Sequence, residues 1–311
     1  MSKRIFLFPG QGSQYVGMGK HLAETFAPAK ALLNQANEVL GFDLADILFN
    51  GPEDKLKGTD ITQPAIFTVS MMAMEAVRKA DITFDYVAGH SLGEYSALCA
   101  AGAFTFEAGL KVVQLRGKLM AEAGDKIPGT MAAILGLEAD KLDVVLKQAS
   151  SAGLVVAANF NSPNQIVISG TLSGVEAAAK LAETAGAKKV VMLVVGGAFH
   201  SPLMDSAIPG LKAGLDALAF QVPRVPLISN VEAQPVSDLA AVKSLLLRQP
   251  VSPVRWVESM QNAIKLGCTE ALEIGPGKVL MALVRGISRD MRVTTVENPE
   301  DLAKLASAAK G

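Results

Sequence analysis

The sequence predicts an α/β fold with a mainly parallel sheet and a smaller α+β subdomain inserted into it. Short apolar runs alternate with longer segments of helical periodicity along most of the 311 residues, as in sheets built from strand–helix–strand units. From about residue 129 to 195 the order changes to strand-helix-strand-strand-helix-strand (βαββαβ). A single block in that order is typical of a ferredoxin-like subdomain.

The first part of the larger domain supplies two predicted strands and four predicted helices. RIFLF predicts the first strand, and DYVAGH predicts the second, which leads into a helix that begins near Leu92. Apolar residues at helical spacing predict further helices over about 25–40, 63–79 and 105–122.

The inserted block and the segment after it complete the predicted topology. In the block, TMAAILGL, LVVAANF, QIVISG and AKKVVMLVV predict strands, and EADKLDVVLKQAS and TLSGVEAAAKLAETAG predict helices. The larger pattern then resumes with a helix from Pro202, strand PLIS, helices up to Leu266, strand EALEIG, a helix from Lys278 and strand RVTTVE. The predicted domains are therefore 1–128 with 196–311, and 129–195, with a substrate cleft between them.

Composition argues against several classes of function. The net charge is −1, the pI is about 6.3, and no basic run is longer than a pair, which disfavours nucleic-acid binding. No apolar run approaches the roughly 18 residues that a membrane helix needs. Cys99 and Cys268 lie far apart in apolar surroundings and predict buried free thiols. Three histidines and two cysteines without ligand spacing predict no metal site, and the expected location is the cytoplasm.

The glycine-rich segment FLFPGQGSQYVGMG suggests a phosphate-binding turn at first sight. A dinucleotide fingerprint needs a third glycine at position 15, where this sequence has Tyr15, and no acidic residue occurs in 27–37 to hold a ribose. The spacing therefore argues against a dinucleotide site. The same glycines can instead bring backbone N–H groups close to a developing oxyanion.

The segment VAGHSLGEY contains a G-x-S-x-G motif centred on Ser91. Because a predicted strand precedes it and a predicted helix follows, the glycines allow a sharp turn that exposes the serine hydroxyl as a nucleophile. The alternative interpretation is that Ser91 only caps a glycine-rich helix entry.

A serine nucleophile needs a general base, and the chain has three histidines. His90 adjoins the serine and His21 begins the first helical region, so His200 in GGAFHSPLM is the best candidate base. No acidic residue stands out as a third member of a triad. Pro250 favours an extended conformation of Gln249, whose free carbonyl could accept the Nδ1–H of His200.

Arg116 in GLKVVQLRGKLM lies on the apolar face of its predicted helix. Val112, Val113, Leu119 and Met120 occupy the neighbouring positions on that face. A buried guanidinium is expected to require an anion, and two interpretations stay open: an internal salt bridge, or a clamp for a substrate carboxylate.

Taken together, these segments resemble the malonyl-CoA:acyl carrier protein transacylases of dissociated fatty acid synthesis. The resemblance covers essentially the whole chain and rests on eight segments in order: FPGQGSQYVGMG, ITQPAIF, GHSLGEY, QLRGKLM, ANFNSPNQIVISG, AFHSPLM, QPVSPVRW and EIGPGKVL. It implies a hydrolase-like α/β domain with a ferredoxin-like insertion and a site between them.

The resemblance also implies roles for individual residues. Ser91 corresponds to the acylated nucleophile and His200 to its base. Arg116 corresponds to the residue that pairs with the malonyl carboxylate, and Gln249 to the substrate-site position whose carbonyl orients the histidine.

Five further positions correspond to site residues of the family. The backbone N–H groups of Gln11 and Leu92 correspond to the oxyanion hole. His90 and Asn159 match positions that line the substrate site. Phe199, before the histidine, is similar to the residue that accompanies malonyl rather than methylmalonyl units.

The implied substrates are malonyl-CoA and the phosphopantetheine thiol of an acyl carrier protein, and no cofactor is implied on the chain itself. The acidity of carrier proteins implies a basic rim, for which Lys188, Lys189, Arg285 and Arg289 are candidates. The sequence is compatible with a monomer but indicates no oligomeric state. Alternatives are a trans-acting polyketide acyltransferase, a malonate decarboxylase subunit, and a serine hydrolase with the same nucleophile and base.

Overall fold

A computed structural model describes residues 2–302. Met1 and residues 303–311, which were assigned to the larger domain, lie outside this described part. Two sheets organise the described residues. Within residues 2–302, no helix is both long and apolar enough to cross a lipid bilayer.

The larger sheet has six strands in the order β10-β9-β1-β2-β7-β8. All neighbouring strands are parallel except β7 and β8, which are antiparallel. A mixed α/β fold with a mainly parallel sheet is therefore present, as predicted. The strands are β1 (Lys3–Phe8), β2 (Tyr86–Gly89), β7 (Leu227–Ile228), β8 (Pro235–Val236), β9 (Cys268–Ile274) and β10 (Arg292–Val296).

Helices cover both faces of this sheet, because successive side chains of β1 point to opposite sides. Phe6 and Phe8 belong to one core cluster, whereas Ile5 and Leu7 pack with Trp256 in another. The helices are α1 (Lys20–Thr25), α2 (Ala27–Leu40), α3 (Leu44–Asn50), α4 (Glu53–Lys57), α5 (Thr59–Lys79), α6 (Gly93–Ala100), α7 (Phe106–Lys126), α10 (Ile208–Ala217), α11 (Leu239–Arg248), α12 (Trp256–Lys265) and α13 (Val279–Ile287), with 3-10 helices at Pro202–Ala207 and Gln249–Val251.

The smaller sheet is antiparallel, with strand order β4-β5-β3-β6. One of its faces packs against its own two helices, and the other packs against Met120 and Phe199 of the rest of the chain. Two backbone hydrogen bonds also join the two units: the N–H of Phe160 donates to the carbonyl of Val254, and the N–H of Val254 donates to the carbonyl of Ala158. The elements are β3 (Gly129–Leu135), α8 (Ala139–Ala149), β4 (Val155–Ser162), β5 (Gln165–Thr171), α9 (Leu172–Thr184) and β6 (Lys189–Met192).

Several predicted elements differ from the structure in extent. The helix predicted over 25–40 corresponds to α2, while α1 is a separate short helix before it that ends at the extended residue Phe26, and α3 and α4 were not predicted. The strand predicted from AKKVVMLVV ends at Met192, because the residues after it leave the sheet. The helix expected from Pro202 begins as a 3-10 helix, and Pro209 then starts α10, where a missing backbone N–H costs no hydrogen bond.

Candidate active site

The turn from β2 into α6 holds Ser91 in a left-handed conformation, with φ of +51°. The two flanking glycines are required by close packing of the backbone. A Cβ on Gly89 would lie 1.9 Å from the carbonyl carbon of Gly93, and a Cβ on Gly93 would lie 2.1 Å from the carbonyl oxygen of Phe8. The G-x-S-x-G spacing is therefore a steric requirement of this turn.

Asn230 fixes the strained turn from the opposite side. Its Oδ1 accepts the backbone N–H of Ser91 at 2.8 Å, and its Nδ2 donates to the carbonyl of Gly89 at 2.7 Å. The N-cap of α6 is Leu92, and no side chain caps this helix. The Ser91 hydroxyl is thus not a helix cap, and it points to other partners.

The Ser91 hydroxyl lies against the imidazole of His200, with Oγ 2.8 Å from Nε2. The other ring nitrogen, Nδ1, faces the carbonyl oxygens of Gln249 at 2.9 Å and Ser252 at 3.1 Å. Because both neighbours of Nδ1 are acceptors, Nδ1 carries the proton and Nε2 is free to accept the one from Ser91. Two backbone carbonyls occupy the place where a triad would have a carboxylate.

The predicted extended conformation of Gln249 is wrong. Its φ and ψ of −57° and −45° are helical, because Pro250 falls in the first turn of a new 3-10 helix, where its missing N–H costs no hydrogen bond. The Gln249 carbonyl still reaches His200, although it also accepts the N–H of Ser252 at 3.2 Å.

Burial and, to a lesser degree, the positive charge of Arg116 lower the pKa of His200 to about 3, although its backbone acceptors act in the opposite direction. Since this pKa lies below the ordinary 6.5, the neutral base persists as the pH falls and is lost only near the lowered value. We expect sulfonylation of Ser91 by the uncharged reagent phenylmethylsulfonyl fluoride to slow by less than about twofold from pH 7.5 to 5.5. An ordinary histidine would lose about tenfold over that range.

The measurement is the initial rate at which the protein gains the mass of the sulfonyl group, with circular dichroism at each pH to confirm that the protein is folded. A tenfold decrease would show that His200 titrates as an exposed histidine does.

Arg116 is buried, with 1% of its surface exposed, and its guanidinium contacts three neutral acceptors. Nη1 donates to Gln63 Oε1 at 2.6 Å, and Nη2 donates to Gln249 Oε1 at 2.8 Å and to Ser91 Oγ at 3.1 Å. Within residues 2–302 no carboxylate forms an ion pair with it, so the salt-bridge alternative is not what the structure has. A buried positive charge beside the serine therefore has no described carboxylate in direct contact with it.

Glu94 is the carboxylate nearest to this group in the network, and it is also buried. Its oxygens accept the backbone N–H of Asn230 at 2.6 Å and the Nε2 of Gln249. Burial raises the pKa of Glu94 to about 7, although its hydrogen bonds and the charge of Arg116 pull it down. Gln249 therefore separates the carboxylate from the guanidinium.

A small cavity of about 100 Å³ opens beside Ser91. Its lining includes residues from both units, so it lies between the two sheets. The lining residues are Gln11, Gln63, His90, Ser91, Leu92, Arg116, Met120, Met131, Asn159, Leu193, Val195, Phe199 and His200. Gln249 was predicted as a substrate-binding residue, but it lies behind Arg116 and does not line this cavity.

The predicted oxyanion and lining residues have distinct surroundings. In the described part of the chain, the backbone N–H groups of Gln11 and Leu92 donate to no protein acceptor, and both residues line the cavity. His90 Nε2 lies 2.8 Å from Asn161 Oδ1, and burial lowers the pKa of His90. Asn159 is buried at the junction of β4 with Val254.

Sequence reasoning missed the polar residues that support these groups, namely Gln63, Glu94, Asn161 and Asn230. The first three lie inside segments that carry the family resemblance, so polar residues in these motifs were an available signal. Nothing marked Asn230, which the fold brings from far along the chain. Among residues 2–302, no three potential ligand side chains cluster to hold a metal ion.

Comparison with known proteins identifies the family of the chain. The family described as "Acyl transferase domain" matches residues 5–301. A malonyl CoA-acyl carrier protein transacylase of Bacillus subtilis (strain 168) is 46% identical over 303 residues, which are 97% of this chain and 96% of the relative.

Solved structures show the same fold over nearly the full chain. The acyl-carrier-protein S-malonyltransferase of Burkholderia pseudomallei 1710b is 40% identical with a TM-score of 0.94, covering 98% of this chain and 99% of its own. A malonyl-transacylase solved in complex with its type II PKS acyl-carrier protein is 36% identical with a TM-score of 0.95, covering 99% of this chain and 100% of the matched one. The chain therefore belongs to the acyl transferase family and, within it, to the malonyl-CoA:acyl carrier protein transacylases.

Proposed function

We propose that this protein transfers the malonyl group of malonyl-CoA to the phosphopantetheine thiol of an acyl carrier protein through a malonyl ester of Ser91. The observation that carries the proposal is the Arg116 guanidinium, which is buried, is in direct contact with no carboxylate among the described residues and lies 3.1 Å from the nucleophilic oxygen. A short acyl group with a distal carboxylate can place its carbonyl carbon at the Ser91 oxygen and its carboxylate at the guanidinium of Arg116.

The first half-reaction forms the ester. His200 Nε2 accepts the proton of Ser91 Oγ while this oxygen attacks the thioester carbon of malonyl-CoA. The tetrahedral oxyanion accepts hydrogen bonds from the backbone N–H groups of Gln11 and Leu92. The C–S bond then breaks, and protonated His200 gives its proton to the departing CoA thiolate.

The second half-reaction is the reverse with a different thiol. The phosphopantetheine thiol of the carrier protein gives its proton to His200 and attacks the ester carbon, and Ser91 leaves with the proton from His200. Because CoA departs before the carrier protein reacts, the kinetics are ping-pong. We take the carrier protein to be that of dissociated fatty acid synthesis.

Acyl selection follows from charge and size. The malonyl carboxylate replaces the Ser91 oxygen or a glutamine oxygen as a partner of Arg116. Phe199 lies in the lining, where its ring crowds a substituent on the malonyl α-carbon. One extra methyl group in such a pocket is worth roughly 1–3 kcal/mol, so malonyl is preferred over methylmalonyl without absolute exclusion.

We also propose that 129–195 is a ferredoxin-like subdomain inserted into a hydrolase-like domain made of 1–128 and 196–311. The strand order and the antiparallel pairing of the smaller sheet support this division. The chain itself is proposed to need no cofactor, because its backbone donors, imidazole and guanidinium supply every proton and charge that the reaction uses. The cytoplasm is the proposed location.

The test is intact-mass analysis after mixing the protein with malonyl-CoA, methylmalonyl-CoA or acetyl-CoA. We expect a mass increase of one malonyl group, less labelling by methylmalonyl-CoA and least by acetyl-CoA, and loss of the malonyl group when phosphopantetheinylated carrier protein is added. A stable label that the carrier protein does not remove, or rapid release of free malonate, would refute transfer as the function.

A further inference from the structure

Glu94 is a buried charged residue with no part in the reaction steps. It follows the nucleophile by three positions, and only 1% of its surface is exposed. Each of its two carboxylate oxygens accepts one hydrogen bond: Oε1 from the backbone N–H of Asn230 at 2.6 Å, and Oε2 from Nε2 of Gln249. Burying a charge is costly, so a carboxylate retained here needs a reason.

Glu94 contacts the side-chain amide of Gln249, which has an NH₂ group that donates hydrogen bonds and an oxygen that accepts them. The NH₂ group of Gln249 faces Glu94 and also donates to the Ser91 carbonyl at 2.9 Å, whereas its Oε1 accepts from Arg116 at 2.8 Å. Above its raised pKa of about 7 the Glu94 carboxylate is ionised and can only accept hydrogen bonds, so the NH₂ end of Gln249 then has to face it. The carbonyl end is thereby turned to the guanidinium.

We infer that Glu94 is a positioning residue for acyl selection: by orienting the amide of Gln249, it holds the Arg116 guanidinium beside Ser91 without becoming its counter-ion. The inference rests on the proposed function, since it specifies how the arginine is kept ready for the malonyl carboxylate. Glu94 does not line the cavity, so it acts on the arginine through Gln249 and not by contact with the substrate.

The interposed glutamine explains how a buried arginine stays available. In direct contact, a carboxylate would neutralise the guanidinium and compete with the substrate for it. Through Gln249, Glu94 supplies orientation and a more distant negative charge, while the closest partners of Arg116 stay neutral. The substrate is then the first carboxylate to reach the guanidinium.

Glu94→Gln tests the inference because glutamine has nearly the same shape as glutamate but replaces one acceptor oxygen with an NH₂ donor. If the new side chain accepts from Asn230, its NH₂ group faces the NH₂ group of Gln249, which has to rotate and present donors to Arg116. At pH 8 we expect the rate of malonyl-Ser91 formation at low malonyl-CoA to fall on the order of ten- to a hundredfold, and that of acetyl-Ser91 from acetyl-CoA by less than about threefold.

Both rates are measured on the full chain by rapid quench and intact mass. Glu232→Gln is the matched control, because Glu232 is exposed and pairs with Arg248 on the surface; both of its rates should equal those of the original protein. An unchanged malonyl rate in Glu94→Gln, or equal losses for the two acyl groups, would overturn the inference. Failure of the unaltered protein to form a malonyl ester would instead refute the proposed function.

Glu94→Asp separates hydrogen-bonding chemistry from shape. Aspartate is shorter but accepts hydrogen bonds only, so the amide of Gln249 keeps its orientation. We expect this variant to preserve the malonyl-over-acetyl preference within about threefold of the original, although glutamine is the closer match in shape. This measurement also decides the matter if Glu94→Gln does not fold, since a preference as low as that of Arg116→Ala would contradict the inference.

Discussion

Replacing Ser91 with alanine is expected to abolish covalent labelling by malonyl-CoA and to lower malonyl transfer by about a thousandfold or more. The hydroxyl is the attacking group, and no other described hydroxyl lies against Nε2 of His200. The turn should keep its conformation, because residue 91 donates to the Asn230 side chain through its backbone N–H, which the substitution leaves in place.

The measurement is intact mass after incubation with malonyl-CoA, together with steady-state transfer to a carrier protein. Ser96→Ala is the matched control: Ser96 lies on α6, the helix that follows Ser91, its hydroxyl is buried without a hydrogen-bond partner among the described residues, and it does not line the cavity. This control should label normally. Malonyl label that persists on the Ser91→Ala protein would place the nucleophile elsewhere.

The alternation of strands and helices was predictable because it follows from short-range periodicity. The buried part of a strand such as β1 is an apolar run, here residues 5–8, and long amphipathic helices such as α7 have an apolar stripe, so both patterns can be recognised in a short stretch of sequence. The short helices α3 and α4 were missed, since their few residues give no clear period. The order of the strands in the sheet could not be predicted from the sequence, because pairs such as β1 with β9 join segments that are distant along the chain.

The reacting groups could be predicted from the sequence, whereas most of the groups that support them could not. Ser91 and Arg116 conflict with their local surroundings, one in a tight glycine turn and the other on an apolar helix face, and such conflicts are visible in sequence. Glu94 and Asn230 act through contacts across 136 residues of chain, which no local pattern reports. Gln249 was predicted for its carbonyl, while its amide, which contacts Arg116, was not.

The electrostatic arrangement connects the base to the arginine. The charge that would bind a substrate carboxylate also lowers the pKa of His200, which keeps the imidazole neutral before the substrate arrives. A bound malonyl carboxylate would offset this charge and raise the basicity of His200. Substrate binding and base strength are therefore coupled through one guanidinium.

Replacing Arg116 with alanine is expected to lower malonyl-Ser91 formation by roughly a hundred- to a thousandfold, because a buried, charge-assisted contact to the substrate carboxylate is lost. Acetyl transfer should change by less than about tenfold, since the acetyl group has no carboxylate. Competition between malonyl-CoA and acetyl-CoA, with both esters resolved by intact mass, measures the two effects together.

Loss of the arginine need not unfold the protein, because its removal leaves Glu94 able to take up a proton. Burial already raises the pKa of Glu94 to about 7 against the opposing charge of Arg116, so without that charge the carboxyl group becomes neutral more readily. Arg248→Ala, which removes an exposed arginine next to Gln249, is the matched control and should keep the malonyl preference. If Arg116→Ala also kept this preference, the carboxylate would have to bind elsewhere, and the uncompensated charge beside Ser91 would serve only to hold His200 neutral.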